Sequence, residues 1–399
     1  MRLDQQTELT LGNIGTALII GTIALLMLGL QPIVLGELVE QRVISLESVG
    51  LVAMGEIIAL GLGVFLGDAV MPLTRIRPII AIAALLTAGF DILTVFTTGD
   101  SEMIPVRMAA GLCEGILVWS TTSIIVRTAN PERLGGIFFV IQTLSQASVG
   151  ATLALALIPS YGWQGSFVLL ALLSLLPCLL IVRQPARLAP FASKETSGFA
   201  WSVGTLLPLV IVFFQLCAIG SLWAYLEPLG KAVGMDAVMA QTLVSGVLVM
   251  QVLGGVAATL LVRALPSVVA LALGAIILAA SAFYAYGLPV GSTTEFALAC
   301  AVFGFTWLFI LPFQIGLAFR ADPTGRVGVL VPAMQLLGSA IGPLIASLTV
   351  EGDDASLVPM ASSIFALLAV FLLLMWSRFF RRPPRSCAAE GVRSVAPRL

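Results

Sequence analysis

Residues 133–147 read RLGGIFFVIQTLSQA, and residues 326–340 read RVGVLVPAMQLLGSA. Laid over one another without a gap, they pair Arg133 with Arg326, Gly135 with Gly328, Gln142 with Gln335, Leu144 with Leu337 and Ala147 with Ala340. The offset of 193 residues extends beyond this segment, placing Gly61 on Gly254 and Gly111 on Gly304. Both copies lie in strongly apolar sequence. A duplicated, parallel set of apolar helices predicts two membrane bundles with a substrate site between them.

Composition points the same way. Of the 399 residues, 59% are hydrophobic and 10% charged, against about 25% charged in soluble domains. Lipid must therefore solvate much of the surface. The chain has no histidine, which removes the commonest metal ligand and the side chain that titrates near neutrality. A transported proton would have to ride on a carboxylate. Cys113, Cys178, Cys217, Cys300 and Cys387 have no zinc or redox spacing and read as small packing residues. Neither a metal nor another cofactor is expected. No glycine-rich loop ends in Gly-Lys-Ser/Thr, so ATP bound by this chain is not expected as the energy source. The apolar run from about Leu11 to Gly36 is too long for a cleavable signal.

Apolar runs of about 20 residues, enough to cross roughly 30 Å of hydrocarbon as helices, are expected at 12–36, 48–67, 78–98, 104–126, 135–158 and 166–182, then at 202–226, 239–262, 267–288, 296–318, 328–350 and 357–377. The expected fold is an all-α membrane protein of 12 transmembrane helices. Its parts are a first bundle (1–183), a linker (184–200), a second bundle (201–378) and a basic tail (379–399).

With both termini in the cytoplasm, 17 Lys and Arg fall inside, among them Arg2, Arg133, Lys194, Arg326 and six tail arginines, and only Arg42 and Lys231 fall outside. This is the positive-inside pattern. The outer loops are acidic, with Glu37, Glu40, Glu47, Glu227 and Asp236 among them. The tail reads as a contact for anionic headgroups; no nucleic-acid partner is expected.

Four ionisable residues remain within spans: Glu56, Asp91, Arg107 and Glu114, all in the first half. Each costs several kcal/mol in hydrocarbon unless paired or wet. Arg107, Gly111 and Glu114 share one helix face. Seven residues correspond to roughly 10 Å of helix rise, so Arg107 and Glu114 are expected at two ends of a charged stripe and not as a close pair. Desolvation favours a neutral carboxyl and a nearby arginine favours the carboxylate, a balance that suits a proton site. A structural charge network joining these helices, and direct contact with a charged substrate, are the alternatives. For Asp91 the structural role is preferred. Candidates for the substrate cavity are Trp119, Gln142, Gln146, Trp223, Tyr225, Thr306, Trp307 and Gln335, a mix of amides and rings suited to an amphipathic organic solute. The alternative for these is hydrogen bonding between helices.

On these residues the chain resembles the major facilitator superfamily along its whole length. Gly63 and Asp68 followed by Arg75 and Arg77 are similar to the gating loop between the second and third helices, with the arginines displaced. Arg107, Gly111 and Gly115 resemble the arginine–glycine motif of proton-coupled members, and Tyr161 to Phe167 the turn after the fifth helix. The glycine–proline pair usual in span five of drug–proton antiporters is missing from Ser148 to Ala151; the nearest match is Gly338 to Pro343 in span eleven. The resemblance implies alternating access around a cavity lined by spans 1, 4, 7 and 10.

The expected function is secondary transport of a small organic solute, proton-coupled, leaning to export by antiport. Proton symport for uptake, an uncoupled facilitator, and a transporter-like scaffold or assembly factor are the alternatives; an enzyme is not expected. The expected setting is a bacterial-type inner membrane, and the expected state a monomer.

Overall fold

The computed structural model describes residues 9–128, 131–188, 201–322 and 326–379. Arg2, Lys194, Cys387, most of the linker and the tail beyond Phe379 lie outside them.

Each half starts with a helix whose first turn is capped by its own side chains. Asn13 N donates to Thr10 Oγ1 (3.2 Å) and Thr205 N to Ser202 Oγ (3.3 Å), in reciprocal capping boxes. The first half comprises α1 (Leu11–Glu40), α2 (Ser48–Val70), α3 (Ile76–Thr94), α4 (Asp100–Ile125), α5 (Pro131–Thr152) and α6 (Ile158–Ser174). The second comprises α7 (Val203–Ala224), α8 (Ala237–Leu261), α9 (Ser267–Tyr286), α10 (Thr293–Ala321), α11 (Arg326–Ser347) and α12 (Val358–Phe379). No strand of a sheet occurs among the described residues.

Eleven described helical stretches are long and apolar enough to span a membrane, because one of them, Leu134–Arg183, contains both the fifth and sixth expected spans. Gly162 divides that stretch. Its φ of 64° and ψ of −168° are not helical, and a positive φ is cheap only for glycine. The first span also breaks, at Leu25, and α7 continues after Tyr225 as a short helix, Leu226–Ala232.

Within each half the glycines allow close packing. A Cβ on Gly111 of α4 would strike the Glu56 carbonyl of α2, and one on Gly304 of α10 would meet the Val247 carbonyl of α8 at 2.6 Å. These repeat-related residues make the same type of contact. Gly61 and Gly254 do not: Gly254 lies against the Phe305 carbonyl, whereas Gly61 has open space. In α11, Gly338 and Gly342 pack against the α7 backbone at Phe213 and Cys217. The glycines of the span-eleven segment thus serve helix contact.

The halves meet along α2 with α11, α5 with α8, and α1 with α7. One end of the molecule carries Glu40, Glu47, Asp100 and Glu227 and is called the acidic end. The other carries Arg75, Arg77, Arg127 and Arg183 and is called the basic end. At the acidic end the halves are closed on each other: Gly352 N donates to Glu47 Oε1 (3.0 Å), and Gly50 lies against Pro343 and Ser347. Large side chains such as Phe65, Phe96, Leu179 and Phe371 face outward from the bundles, as lipid-facing residues do.

Candidate functional site

The three intramembrane carboxylates converge on Arg107, which is fully buried. Its Nη2 donates to Glu56 Oε1 of α2, and its Nη1 to Asp91 Oδ1 of α3 at 2.8 Å. The planar guanidinium fork can serve two carboxylates at once. Glu114 Oε1 lies 3.7 Å from Nη2, an ion pair beyond hydrogen-bond range.

The expected separation of Arg107 and Glu114 is therefore wrong. Helical side chains lean toward the N-terminus, so Glu114 points back toward Arg107, while the arginine, whose own lean is away from Glu114, covers the remainder through the length of its arm. Asp91 on α3 pairs directly with Arg107, a contact compatible with the structural role preferred for it.

Three further groups complete the cluster without having been singled out in the sequence. Gln31 Nε2 of α1 donates to Glu56 Oε2 (3.4 Å), Ser174 Oγ of α6 to Asp91 Oδ2 (3.3 Å), and the Phe167 ring lies 5.2 Å from Arg107 Cζ. An amide beside Pro32 in an otherwise apolar run was the available signal for Gln31. Cluster contacts therefore come from α1, α2, α3, α4 and α6.

A second charged cluster spans the two halves at the acidic end. Lys231 Nζ lies 2.6 Å from Glu40 Oε2 and 2.7 Å from Glu227 Oε1. Glu37 accepts from Gln41 Nε2 (3.1 Å) and Gln241 Nε2 (3.0 Å). Glu37 and Glu227, expected in exposed loops, are buried. The helices run past the apolar segments, and the opposite half covers both carboxylates. Glu227 and Lys231, four apart, form the i,i+4 pair that their spacing permits.

The gating-loop residues are not brought together. Asp68 is exposed and faces Arg127; Arg77 donates to the Gln184 carbonyl (2.7 Å) and the Val182 carbonyl (3.1 Å); Arg75 is exposed.

The expected cavity residues are dispersed. Trp223 packs edge-on against Trp307, centroids 5.2 Å apart, and donates to the Leu28 carbonyl across the halves (3.2 Å). Tyr225 Oη accepts from Gly50 N (3.1 Å), and Gln146 Nε2 donates to the Leu25 carbonyl (2.6 Å). Thr306 turns back to the Val302 carbonyl (2.7 Å). Gln335 joins an amide chain, donating to Gln314 (2.7 Å), which donates to Gln215 (2.9 Å). Its repeat partner Gln142 has a buried Oε1 without a hydrogen bond. Trp119 lines a cavity of about 680 Å³ between α2, α4 and α11.

Two helical bundles, related by sequence repeat and enclosing buried charge, define a secondary transporter fold. The Major Facilitator Superfamily model matches residues 14–343. The chain belongs to the major facilitator superfamily and is an integral, multi-pass membrane protein. Among solved structures it is similar to the nucleoside transporter NupG (TM-score 0.68, 14% identity, 91% of this chain and 99% of that one). It is also similar to a bacterial homolog of the human lysosomal transporter Spinster in an inward-facing, unoccupied conformation (0.69, 13%, 92% and 96%). A D-xylose–proton symporter is a further match (0.69, 15%, 91% and 98%). No curated protein sequence matches the chain significantly.

Proposed function

We propose that this protein is a proton-coupled secondary transporter of a small organic solute, working by alternating access and exporting its cargo by antiport. The observation that carries this reading is the stoichiometry of the Arg107 cluster: three buried carboxylates share one guanidinium. With all three ionised the cluster holds two uncompensated negative charges at low dielectric, an expensive state. A proton on one carboxyl relieves it.

Glu114 is the carboxyl assigned to carry that proton. Glu56 and Asp91 hydrogen-bond the arginine directly, whereas Glu114 stands 3.7 Å off. Losing its charge therefore disturbs the guanidinium least. Gating is assigned to the two halves parting and closing, with Lys231–Glu40 made and broken at one end. With the basic end assigned to the cytoplasm of a bacterial-type inner membrane, the closure at the acidic end is read as an inward-facing arrangement. The lean to export follows from the mostly apolar lining of the cavity between α2, α4 and α11, which suits a hydrophobic solute. One chain supplies both halves, so a monomer suffices.

The test uses purified protein in liposomes loaded with a pH-sensitive dye and a panel of amphipathic organic solutes. Solute-driven proton movement in wild type, abolished by Glu114→Gln, is the expected result. Alkalinisation or acidification on solute addition separates symport from antiport. Proton flux that survives both Glu114→Gln and Glu56→Gln would overturn the coupling role and leave the cluster structural. Solute movement without any proton flux would make the protein a facilitator.

A further inference from the structure

The seam between α2 and α11 is closed at one end and open at the other. At the acidic end Gly50 lies against Pro343 and Ser347. Toward the basic end the same helices part, and the space between them is the cavity of about 680 Å³, floored by α4. Such a volume accommodates a drug-sized ligand.

Three properties of this space point to its occupant. Its walls are mostly apolar, with Ile57 and Phe65 on α2 and Pro332 and Leu337 on α11; Thr122 and Ser123 of α4 add hydroxyls, and Asp68 lines it at the basic end. It is open and not sealed: Leu62, Phe65 and Leu337, which line it, are 50%, 67% and 42% exposed. The space ends at that basic end, where the exposed Asp68 faces Arg127. The third property is a polar atom left over. Trp119, only 3% exposed, lines the cavity, and its indole Nε1 has no hydrogen-bond partner. Buried donors are rarely left unsatisfied, and an indole nitrogen can only donate.

We infer that the α2–α11 cleft is a binding site for an uncharged lipophilic solute carrying a hydrogen-bond acceptor, with its apolar body between the two helices and its acceptor on Trp119 Nε1. The site lies on the seam between the halves, apart from the Arg107 cluster, so cargo and proton occupy different places. In one respect the inference rests on the transporter reading above, namely that the bound molecule is cargo.

Gly61 provides the decisive variant. It lines the cavity, and a Cβ there meets nothing within 4 Å, so a large side chain at this position fills the cleft without displacing backbone. Gly246 on α8 is equally open but is not among the residues that line the cleft, and serves as the control. The probe is the neutral fluorescent ketone 6-propionyl-2-dimethylaminonaphthalene, compared with its analogue lacking the carbonyl, titrated against protein in lipid nanodiscs.

Saturable ketone binding is expected in wild type and Gly246→Trp, and is expected to be lost in Gly61→Trp. Trp119→Phe, which keeps a ring and deletes the donor, should weaken ketone binding roughly tenfold, the size of one desolvated hydrogen bond. It should leave the carbonyl-free analogue unchanged. No saturable binding in wild type, or binding insensitive to Gly61→Trp, would overturn the site. Binding sensitive to Gly61→Trp but equal in wild type and Trp119→Phe would overturn the acceptor assignment. This equilibrium assay needs no proton gradient, so its failure leaves the proton-coupled reading standing. Conversely, intact cleft binding without proton flux would sink only the coupling.

Discussion

Lys231 Nζ, from the second half, lies 2.6 Å from Glu40 Oε2 of the first, and the same ammonium lies 2.7 Å from the buried Glu227. One cation therefore performs two tasks of different magnitude. Glu40 is half exposed, and an exposed pair contributes about 0–1 kcal/mol. Glu227 is fully buried, and stranding a buried charge costs about 3–5 kcal/mol. Glu40→Ala is expected to lower thermal stability slightly, and Lys231→Ala to lower it severely. Equal losses in the two variants, read from thermal melts in detergent, would show that Glu227 does not depend on Lys231.

Gly36 of α1 is the seat of the Glu227 carboxylate; a Cβ there would overlap it. Gly36→Ala should push the Glu227 carboxylate off its seat and, because Lys231 holds that carboxylate, loosen the closure at the acidic end. Its readout is labelling of a cysteine at Gln241, a buried position beside Glu37, by a membrane-impermeant maleimide. Labelling should rise several-fold over the Gln241→Cys parent, and adding Glu227→Ala should return it toward the parent. Failure of the second substitution to suppress the first would place the obstruction elsewhere.

Arg107 should behave as a hub. Arg107→Leu leaves Glu56, Asp91 and Glu114 facing one another without a cation, and a loss of about 3–5 kcal/mol is expected. Neutralising Glu56 and Asp91 in that background, as Glu56→Gln with Asp91→Asn, should recover much of the loss. Residues of one network are not additive. Additive losses across the three substitutions in a denaturation cycle would dismiss the network.

The fold and the cluster differ in how far they could be read from the chain. The repeat of Arg133-Leu134-Gly135 at Arg326-Val327-Gly328, together with runs of apolar residues, carries two bundles directly, because lipid demands such lengths and periodic turns. Glu56, Asp91, Arg107 and Glu114 also stood out, since charge in an apolar run is rare. Their mutual geometry did not, because helix rise measures backbone separation and says little about where a long guanidinium ends. Glu37 and Glu227 escaped for another reason. Burial there is provided by the opposite half, and nothing within either helix announces its partner. Trp119 was legible as an aromatic ring on the fourth span, but its unpaired nitrogen is a property of packing alone.

The repeat also yields a prediction through its exception. Gly61 and Gly254 occupy equivalent positions in the two halves, yet Gly254 lies against the Phe305 carbonyl and Gly61 borders open space. Gly61→Ala adds a methyl group without a clash and removes a flexible residue from a helix interior, a gain of about 0.4–1 kcal/mol. Gly254→Ala drives α8 away from α10 and should cost about 1–3 kcal/mol, the scale of overpacking. The melting temperature should therefore rise for the first variant and fall for the second, although the two are the same substitution at matched positions. A fall of similar size in both would mean that α2 and α4 approach at Gly61 as closely as α8 and α10 do at Gly254, and the cleft that Gly61 borders would then be too narrow to hold a solute.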